Sequence, residues 1–282
     1  MGAPVGAPTH SSRLRNMNDA IATETPTLEL RGVSKSFGSV QALADVDFEV
    51  RSGEVMALVG DNGAGKSTLI KCIAGIYTAD GGEILFEGKP VTIHGPKDSA
   101  RLGIEVVYQD LALCDNLDVV QNMFLGRETH NAFQVLNEPE MERRTAETMK
   151  GLSVTTIRSI RQIVATLSGG QRQSVAVARA VLWNSRVVIL DEPTAALGVA
   201  QTQQVLDLVK RLADQGLAVV VISHNLHDVF VVADRITVLR LGRSIGVYTR
   251  TETTQQELVQ AITAGIPTRV SGIPGTGIEE DA

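Results

Sequence analysis

The amino-acid sequence predicts an α/β fold built around a mostly parallel β-sheet. Four short apolar runs have the length and composition of strands buried on both faces, as the strands of parallel sheets are. Segments with helical periodicity lie between these runs, and strands that alternate with helices form parallel sheets with helices on both faces. The four predicted strands are residues 55–59, 187–190, 218–222 and 236–239.

The N-terminal third of the chain shows a different strand pattern. Apolar and polar residues alternate strictly over residues 46–50, and residues 28–33 carry a similar pattern, which is typical of strands with one buried face. Residues 82–91 predict a β-hairpin that turns at Gly88-Lys89. A further strand is expected at residues 104–107.

Helices are predicted for most of the remaining chain. The region from about residue 110 to residue 182 lacks strong strand patterns and is expected to be mainly helical. Outside that region, the periodicity predicts helices that start at Lys66 and stop at Gly75, that cover residues 201–215 up to a stop at Gly216, and that cover residues 255–262.

The ends of the chain lack this patterning. Residues 1–26 are rich in Ala, Pro, Thr and Ser without periodicity, which predicts a disordered tail. The Gly/Pro-rich and then acidic residues 263–282 predict a second, flexible tail. The expected folded domain is therefore residues 27–262.

Composition bounds the function. A hydrophobic content of 43% and a charged content of 21% are ordinary for a soluble globular protein, and a net charge of −6 disfavours a nucleic-acid partner. The two cysteines fit neither a metal site nor a disulfide framework. No apolar run approaches the roughly 20 residues that cross a bilayer, so we expect another chain to do any spanning.

A phosphate-binding motif follows the first predicted buried strand. Residues 60–67 read Gly-Asp-Asn-Gly-Ala-Gly-Lys-Ser and lead into a predicted helix, which is the setting of a P-loop. We expect the backbone N–H groups of this P-loop to surround phosphates, Lys66 to reach the β/γ oxygens and Ser67 to meet Mg²⁺. The alternative is a chance Gly-rich turn.

A second phosphate motif begins at Leu167. The LSGGQ peptide (residues 167–171) places Ser168 three residues before Gln171, the spacing of a capping box, and helical periodicity follows. The glycines at 169 and 170 are expected to leave backbone N–H groups bare, and such a helix start is a ready phosphate site. The alternative is that Ser168 merely caps a buried helix.

Two adjacent carboxylates end the strand at residues 187–190. Asp191 and Glu192 are expected at the carboxyl edge of the sheet, where α/β proteins bind ligands. Neighbouring residues of an extended segment point to opposite sides, so the two acids can act differently. We expect Asp191 to hold Mg²⁺ and Glu192 to orient and deprotonate an attacking water. Solvated acids at a strand end are the alternative.

Together these motifs resemble the ATP-binding cassette (ABC) ATPase family. The P-loop, the LSGGQ peptide and a strand ending in Asp-Glu-Pro-Thr occur in the family's order, and the likeness spans about residues 27–262. The resemblance implies a P-loop NTPase fold with a mostly parallel sheet core, an antiparallel β subdomain and a helical subdomain at about residues 110–182. It also implies ATP and Mg²⁺ as cofactors.

The resemblance assigns further roles residue by residue. Gln109 resembles the glutamine that senses Mg²⁺, and His224 the histidine at the γ-phosphate, so both join Glu192 as catalytic candidates. Phe37 resembles the aromatic residue that stacks on adenine. The nucleotide-binding set is then Phe37, Gly60, Asp61, Asn62, Gly63, Ala64, Gly65, Lys66, Ser67, Thr68, Ser168, Gly169, Gly170 and Gln171, and the metal set is Ser67, Gln109 and Asp191.

One position departs from the family pattern. After Glu-Pro-Thr the family runs through small residues and Leu to an Asp, whereas here residues 195–197 are followed by Gly198. The missing carboxylate would contact the opposite nucleotide site, so its absence puts the tightness of coupling between the two sites in doubt.

Within the family, Asp61-Asn62 and residues 194–199 resemble the ATPases of bacterial ribose, xylose and fructose importers, and the single cassette resembles the fructose-type branch. This implies a homodimer at the cytoplasmic face of the membrane, docked on integral membrane permease subunits and supplied by a periplasmic sugar-binding protein. The permease-facing groove is expected near Gln109 and residues 113–127.

Three alternatives remain at this point. A soluble ABC ATPase acting on nucleic acid or ribosomes usually has two cassettes, coiled-coil insertions or a basic surface. A lipid or drug exporter often carries a fused membrane domain. A P-loop kinase or GTPase would explain Lys66 but not the LSGGQ peptide.

Overall fold

The computed structural model describes residues 25–131 and 133–265, and it contains two β-sheets. The strands are β1 (Leu28–Phe37), β2 (Val40–Val50), β3 (Val55–Val59), β4 (Gly81–Phe86), β5 (Lys89–Val91), β6 (Ile104–Val107), β7 (Val187–Asp191), β8 (Ala218–Ile222), β9 (Arg235–Arg240) and β10 (Arg243–Thr249). The helices are α1 (Lys66–Ile73), α2 (Pro96–Arg101), α3 (Val119–Phe124), α4 (Glu138–Gly151), α5 (Gly169–Val181), α6 (Val199–Asp214), α7 (Leu226–Val232) and α8 (Gln255–Ala264).

The six-stranded sheet has the order β10-β9-β3-β8-β7-β6. Its neighbouring strands are parallel except β9 and β10, which are antiparallel. The predicted α/β class and mostly parallel sheet are therefore confirmed. Strand β10 was not predicted, because Arg243–Thr249 carries few apolar residues and becomes buried only where it pairs with β9.

The four-stranded sheet has the order β2-β1-β4-β5 and is antiparallel throughout. The hairpin of β4 and β5 is confirmed, but its turn was placed one residue too late. Phe86 pairs with Lys89, so the turn residues are Glu87 and Gly88, with φ of 50° and 75°. Two-residue hairpin turns favour positive φ at both central positions, which leaves Lys89 in the strand.

The stretch from 110 to 182 contains the helices α3, α4 and α5, but these cover less than half of its residues, so it is less helical than predicted. Helix α6 starts at Val199, two residues before the predicted start, because Gly198 serves as its N-cap. The short helices α2 and α7 were not predicted, since six or seven residues are too few for a clear periodicity.

Both faces of the six-stranded sheet are covered. Val188 and Leu190 of β7 face one apolar core, which includes side chains of α3, α4, α5 and α6. Val187 and Ile189 face the other core, formed with α1, β1 and β2. Because β3, β8 and β7 are parallel neighbours, their carboxyl ends lie at one edge of the sheet, where the loops that follow them meet.

The predicted tails lie outside the described residues except for residues 25, 26 and 263–265. Of these, Thr263 and Ala264 complete α8. Among the described helices, none combines the length and the apolar character that a membrane span requires.

Candidate active site

The P-loop lies between β3 and α1, as predicted, and two of its glycines are required by close approaches. Gly60 has φ of 155°, and a Cβ there would lie 2.1 Å from the carbonyl oxygen of Leu239. Gly65 has φ of 103°, and a Cβ there would lie 2.8 Å from the carbonyl oxygen of Ala42. Side chains at these positions would be strained as well as crowded, so the path of the loop depends on them.

Lys66 opens helix α1 and folds back over the P-loop. Its Nζ donates to the carbonyl oxygens of Gly60 at 2.7 Å and Asp61 at 3.0 Å. Burial lowers the pKa of Lys66, and the nearby carboxylates of Glu192, Asp61 and Asp191 act in the opposite direction. The ammonium group is therefore held at the mouth of the loop in an acidic setting.

A cavity of about 590 Å³ opens over the P-loop at the carboxyl edge of the sheet. It brings together predicted residues from three separate loops. It also includes six residues that no local motif marks, from the start of β2, the end of β8 and the β9–β10 turn. The lining residues are Val40, Gln41, Ala42, Asn62, Gly63, Ala64, Gly65, Lys66, Ser67, Thr68, Gln109, Asp191, Glu192, Ile222, Leu241 and Gly242.

Phe37 does not line this cavity. Its ring is 42% exposed and makes an edge-to-face contact with Tyr77, with centroids 5.0 Å apart. It is paired across the β1–β2 turn with Val40, which does line the cavity. Phe37 thus lies one strand away from the cavity wall, and its stacking role stays a prediction.

Asp191 and Glu192 both line the cavity but have different backbones. Asp191 is the last residue of β7, whereas Glu192 has φ of 50° and donates its N–H to the carbonyl oxygen of Ile222 at 2.9 Å. The expectation that both lie on one extended segment is therefore wrong, because the chain turns into the left-handed region at Glu192. A non-glycine residue held there is uncommon and costs energy.

The electrostatics of the two acids also differ. Burial, followed by the neighbouring Glu192, raises the pKa of Asp191, and Lys66 opposes this shift. His224, two residues after β8, has its Nδ1 2.8 Å from Oε1 of Glu192, with its side chain 72% exposed. Glu192 thus has a hydrogen-bonding partner that reaches it from the solvent side.

The predicted Mg²⁺ ligands share this cavity. Ser67, Gln109 and Asp191 offer a hydroxyl, an amide and a carboxylate oxygen, which are ligands that Mg²⁺ accepts. Nowhere in the described residues do three or more His, Cys, Asp and Glu side chains gather into a cage for a metal. A few protein oxygens fit Mg²⁺, which normally keeps waters and binds substrate phosphates.

The LSGGQ peptide begins α5 but lies outside this cavity. Its predicted capping box is present: Ser168 N–H donates to Oε1 of Gln171 at 2.9 Å, and Gln171 N–H donates to Oγ of Ser168 at 3.4 Å. Ser168 and Gly169 are exposed, whereas Gly170 is buried. The two phosphate motifs therefore belong to separate surfaces of one chain.

A family model for the ABC transporter matches residues 43–195, which is more than half of the chain. The chain belongs to the ABC transporter family. Two relatives of this family cover nearly the same length as the chain. The fructose import ATP-binding protein FrcA of Rhizobium meliloti is 47% identical over 246 residues, which cover 85% of this chain and 95% of that protein. The xylose/arabinose import ATP-binding protein XylG of Sulfolobus acidocaldarius is 46% identical over 237 residues, covering 84% and 94%.

Solved structures show the same ABC fold. A nucleotide-free ATP-binding cassette from an ABC transporter superposes with a TM-score of 0.72 at 25% identity and covers 85% of this chain and 95% of its own. A dimeric cassette bound to ADP and Pi gives a TM-score of 0.66 at 25% identity and covers 79% and 98%. This ABC protein thus has an ATP-binding cassette over nearly all of its described residues.

Proposed function

We propose that this chain is the ATP-hydrolysing subunit of an ABC importer for a monosaccharide. One observation carries the ATPase part: a single cavity joins the P-loop, Gln109, Asp191 and Glu192. The importer part is supported by the fructose and xylose/arabinose import proteins, which match almost from end to end. No observation favours the nucleic-acid, exporter or kinase alternatives.

The proposed hydrolysis assigns one task to each group. Lys66 would move from its P-loop carbonyls to the β/γ oxygens, and Ser67, Asp191 and Gln109 would hold Mg²⁺. When bound, Mg²⁺ neutralises phosphate charge. Glu192 accepts a proton as water attacks the γ-phosphoryl, and ADP leaves with the electron pair of the broken P–O bond. His224 orients the Glu192 carboxylate through its 2.8 Å contact.

The second phosphate motif supports a homodimer. The nucleotide cavity of one chain is complete as a phosphate cradle without residues 168–171, and these lie on a different surface. A helix start with exposed Ser168 and Gly169 is suited to phosphate. We propose that it meets the ATP held by a second copy. The solved cassette bound to ADP and Pi is itself dimeric.

A second cavity supports the expected permease-facing groove. It measures about 220 Å³ and is lined partly by Met123, Leu125 and Arg127, which fall within the predicted segment 113–127. Gln109 lines the nucleotide cavity instead. The two cavities are linked by the loop after β6, because Arg179 of the second cavity donates to the carbonyl oxygens of Leu111 at 3.0 Å and Ala112 at 2.8 Å. We propose that a cytoplasmic segment of the permease binds there.

The same proposal includes the cellular location of the chain and the class of sugar that is transported. The chain would sit at the cytoplasmic face of the membrane, held by its permease, with a periplasmic sugar-binding protein supplying the sugar indirectly. The cargo would be a monosaccharide of the fructose, ribose or xylose class.

The test is reconstitution of this chain with its permease in lipid, followed by addition of the binding protein loaded with one sugar at a time. Stimulated ATP hydrolysis with one monosaccharide is the expected result, and the Glu192→Gln chain assembled in the same way is the control for contaminating ATPases. Absence of stimulation by every monosaccharide, with basal ATPase present, would contradict the cargo class but not the ATPase.

A further inference from the structure

A short loop joins the catalytic carboxylate to the LSGGQ peptide within one chain. After Glu192 the backbone makes two tight turns, with Ala195 N–H donating to the carbonyl oxygen of Glu192 at 3.1 Å and Leu197 N–H to that of Thr194 at 3.3 Å. The loop ends at Gly198, and α6 then begins at Val199. The position of this loop relative to α5 sets how the P-loop cavity and the LSGGQ peptide lie relative to each other.

Gln201, in the first turn of α6, contacts both ends of this connection. Its Oε1 accepts a hydrogen bond from the N–H of Gly198 at 2.8 Å. Its aliphatic part packs on Gly170, where an added Cβ would lie 3.0 Å from Cβ and 3.2 Å from Cγ of Gln201. One half-buried side chain therefore holds the loop end and touches the first turn of the LSGGQ helix.

The bond between Gly198 and Gln201 has the geometry of an N-cap residue and the third residue of its helix. A Cβ at position 198 would lie 2.7 Å from Oε1 of Gln201, which is the far end of a flexible side chain that can shift. Asp118 N–H donates to Oε1 of Gln121 at 3.1 Å over the same spacing, so an Asp at the N-cap is compatible with such a bond. In Gln201 the bond is combined with packing on Gly170 of the LSGGQ helix.

We propose that Gln201 is a positioning residue for ATP hydrolysis, which fixes the loop of residues 195–198 against the LSGGQ helix. The proposal rests on the homodimeric ATPase proposed above. In that dimer, the loop leads from the Glu192 of one site to the LSGGQ peptide of the other site. A loop that slides relative to α5 would misalign the two sites without disturbing the P-loop.

A simple helix cap gives a different expectation. In that case, loss of the Gln201 amide lowers thermal stability, but folded chains dimerise and hydrolyse ATP normally. The two possibilities are separated by measuring dimerisation and turnover per folded chain rather than stability alone.

The experiment compares three full-length variants. Gln201→Leu removes the acceptor at similar size, Gln201→Glu keeps an acceptor oxygen at the capping-box position, and Gln204→Leu is the matched control on the exposed side of α6. Turnover and KM are measured over a range of ATP concentrations in excess Mg²⁺. The ATP concentration for half-maximal dimerisation is measured by light scattering in the Glu192→Gln background. A fluorescent nucleotide measures the affinity of the dilute monomer.

For Gln201→Leu we expect a loss in kcat of at least about fivefold, the lower end of typical coupling between sites, and a similar rise in the ATP needed for dimerisation. Monomer affinity should match the parent. Gln201→Glu should retain at least about half of the parental kcat, and Gln204→Leu should match the parent. Should Gln201→Leu fail to fold, Gln201→Ala removes the same amide with the residue that helices favour most, and it should shift dimerisation in the same direction.

Parental turnover and dimerisation in Gln201→Leu or Gln201→Ala would overturn the proposal, as would a loss that Gln201→Glu shares. These outcomes are distinct from failure of the homodimer itself. If the Glu192→Gln parent remains monomeric at saturating ATP, the homodimeric function fails and the role of Gln201 falls with it.

Discussion

At the scale of single residues, the site depends on side chains whose backbone is held in unusual positions. Glu192 lies in the left-handed region, fixed by its N–H bond to Ile222 and contacted by His224. Strained residues persist only where the surroundings hold them, and they cluster at functional sites. Because the backbone turns at Glu192, this residue leaves the line of β7, whereas Asp191 is the last residue of that strand.

Replacement of Glu192, the proposed general base, gives the first prediction. Glu192→Gln keeps the shape and its contact distance but cannot accept the proton of the attacking water. ATP binding should persist while hydrolysis falls by about 10²–10⁴-fold, the usual contribution of a general base. Phosphate release at saturating ATP measures this, with Glu252→Gln, an exposed carboxylate far along the chain, as the control. Parental hydrolysis in Glu192→Gln would refute the assignment.

The P-loop glycines give a second prediction. Gly65→Ala should lower the free energy of unfolding by about 2–5 kcal/mol, because left-handed strain adds to the clash with Ala42. Gly63→Ala is the matched control: its φ is 80°, but nothing lies within 4 Å of an added Cβ. Strain alone should then cost about 1–2 kcal/mol. Urea denaturation of both variants measures the difference, and equal losses would contradict the packing argument.

At this scale, sequence motifs predicted the candidate site residues but not the residues that hold them in position. The P-loop, Asp191 and Glu192 carry their own patterns, so they were predictable from local sequence. The packing of Gln201 on Gly170 and the bonds of Arg179 to Leu111 and Ala112 join residues that are distant in the chain, so local sequence does not predict them. The left-handed backbone of Glu192 depends on β8 and was likewise invisible to a strand pattern.

At the scale of elements, helix α5 contributes to both the proposed dimer contact and the proposed permease-facing groove. Its first turn carries the LSGGQ peptide, and Arg179 near its C-terminal end pins two successive carbonyl groups of the loop that contains Gln109. Leu111 and Ala112 both have positive φ, at 59° and 45°. The planar guanidinium fork therefore stabilises a strained pair of residues that a single point charge would hold less well.

Arg179→Met gives the third prediction. It should speed hydrogen exchange in peptides covering residues 109–113 and lower the free energy of unfolding by about 1.5–3 kcal/mol, the worth of hydrogen bonds to a charged group. Arg179→Lys is the control that keeps the positive charge without the planar guanidinium group. Its exchange rate and its free energy of unfolding should fall between those of the parent and those of Arg179→Met. Exchange that is unchanged in Arg179→Met would show that the loop is held by other contacts.

The elements themselves were predictable where one pattern dominated. The four buried strands of the large sheet and the hairpin of β4 and β5 follow from apolar runs and alternation. Strand β10 and the helices α2 and α7 were not predicted, because these elements form through contacts with their neighbours and show no clear periodicity of their own. The hairpin turn was misplaced by one residue because its positive φ includes Glu87, an uncommon residue for that backbone.

At the scale of the whole molecule, the described part of the chain places the two predicted phosphate sites, the P-loop cavity and the LSGGQ peptide, on different surfaces. Local sequence predicted both surfaces, but their separation depends on the three-dimensional packing of α5 against the rest of the fold. Under the proposed function, a second copy is therefore needed to bring the LSGGQ peptide to bound ATP. Permease docking and sugar supply would then act on this closed pair.

ATP-dependent dimerisation tests that central claim most directly, by light scattering of Glu192→Gln with and without Mg²⁺ and ATP. We predict that the mass doubles with ATP and that a second change, Ser168→Asn, abolishes the doubling. Asparagine still caps the helix but replaces the hydroxyl, so ATP affinity of the dilute monomer should stay at the parental value. A Ser168→Asn chain that dimerises as its parent does, or whose monomeric ATP binding collapses, would contradict an active site shared between two copies.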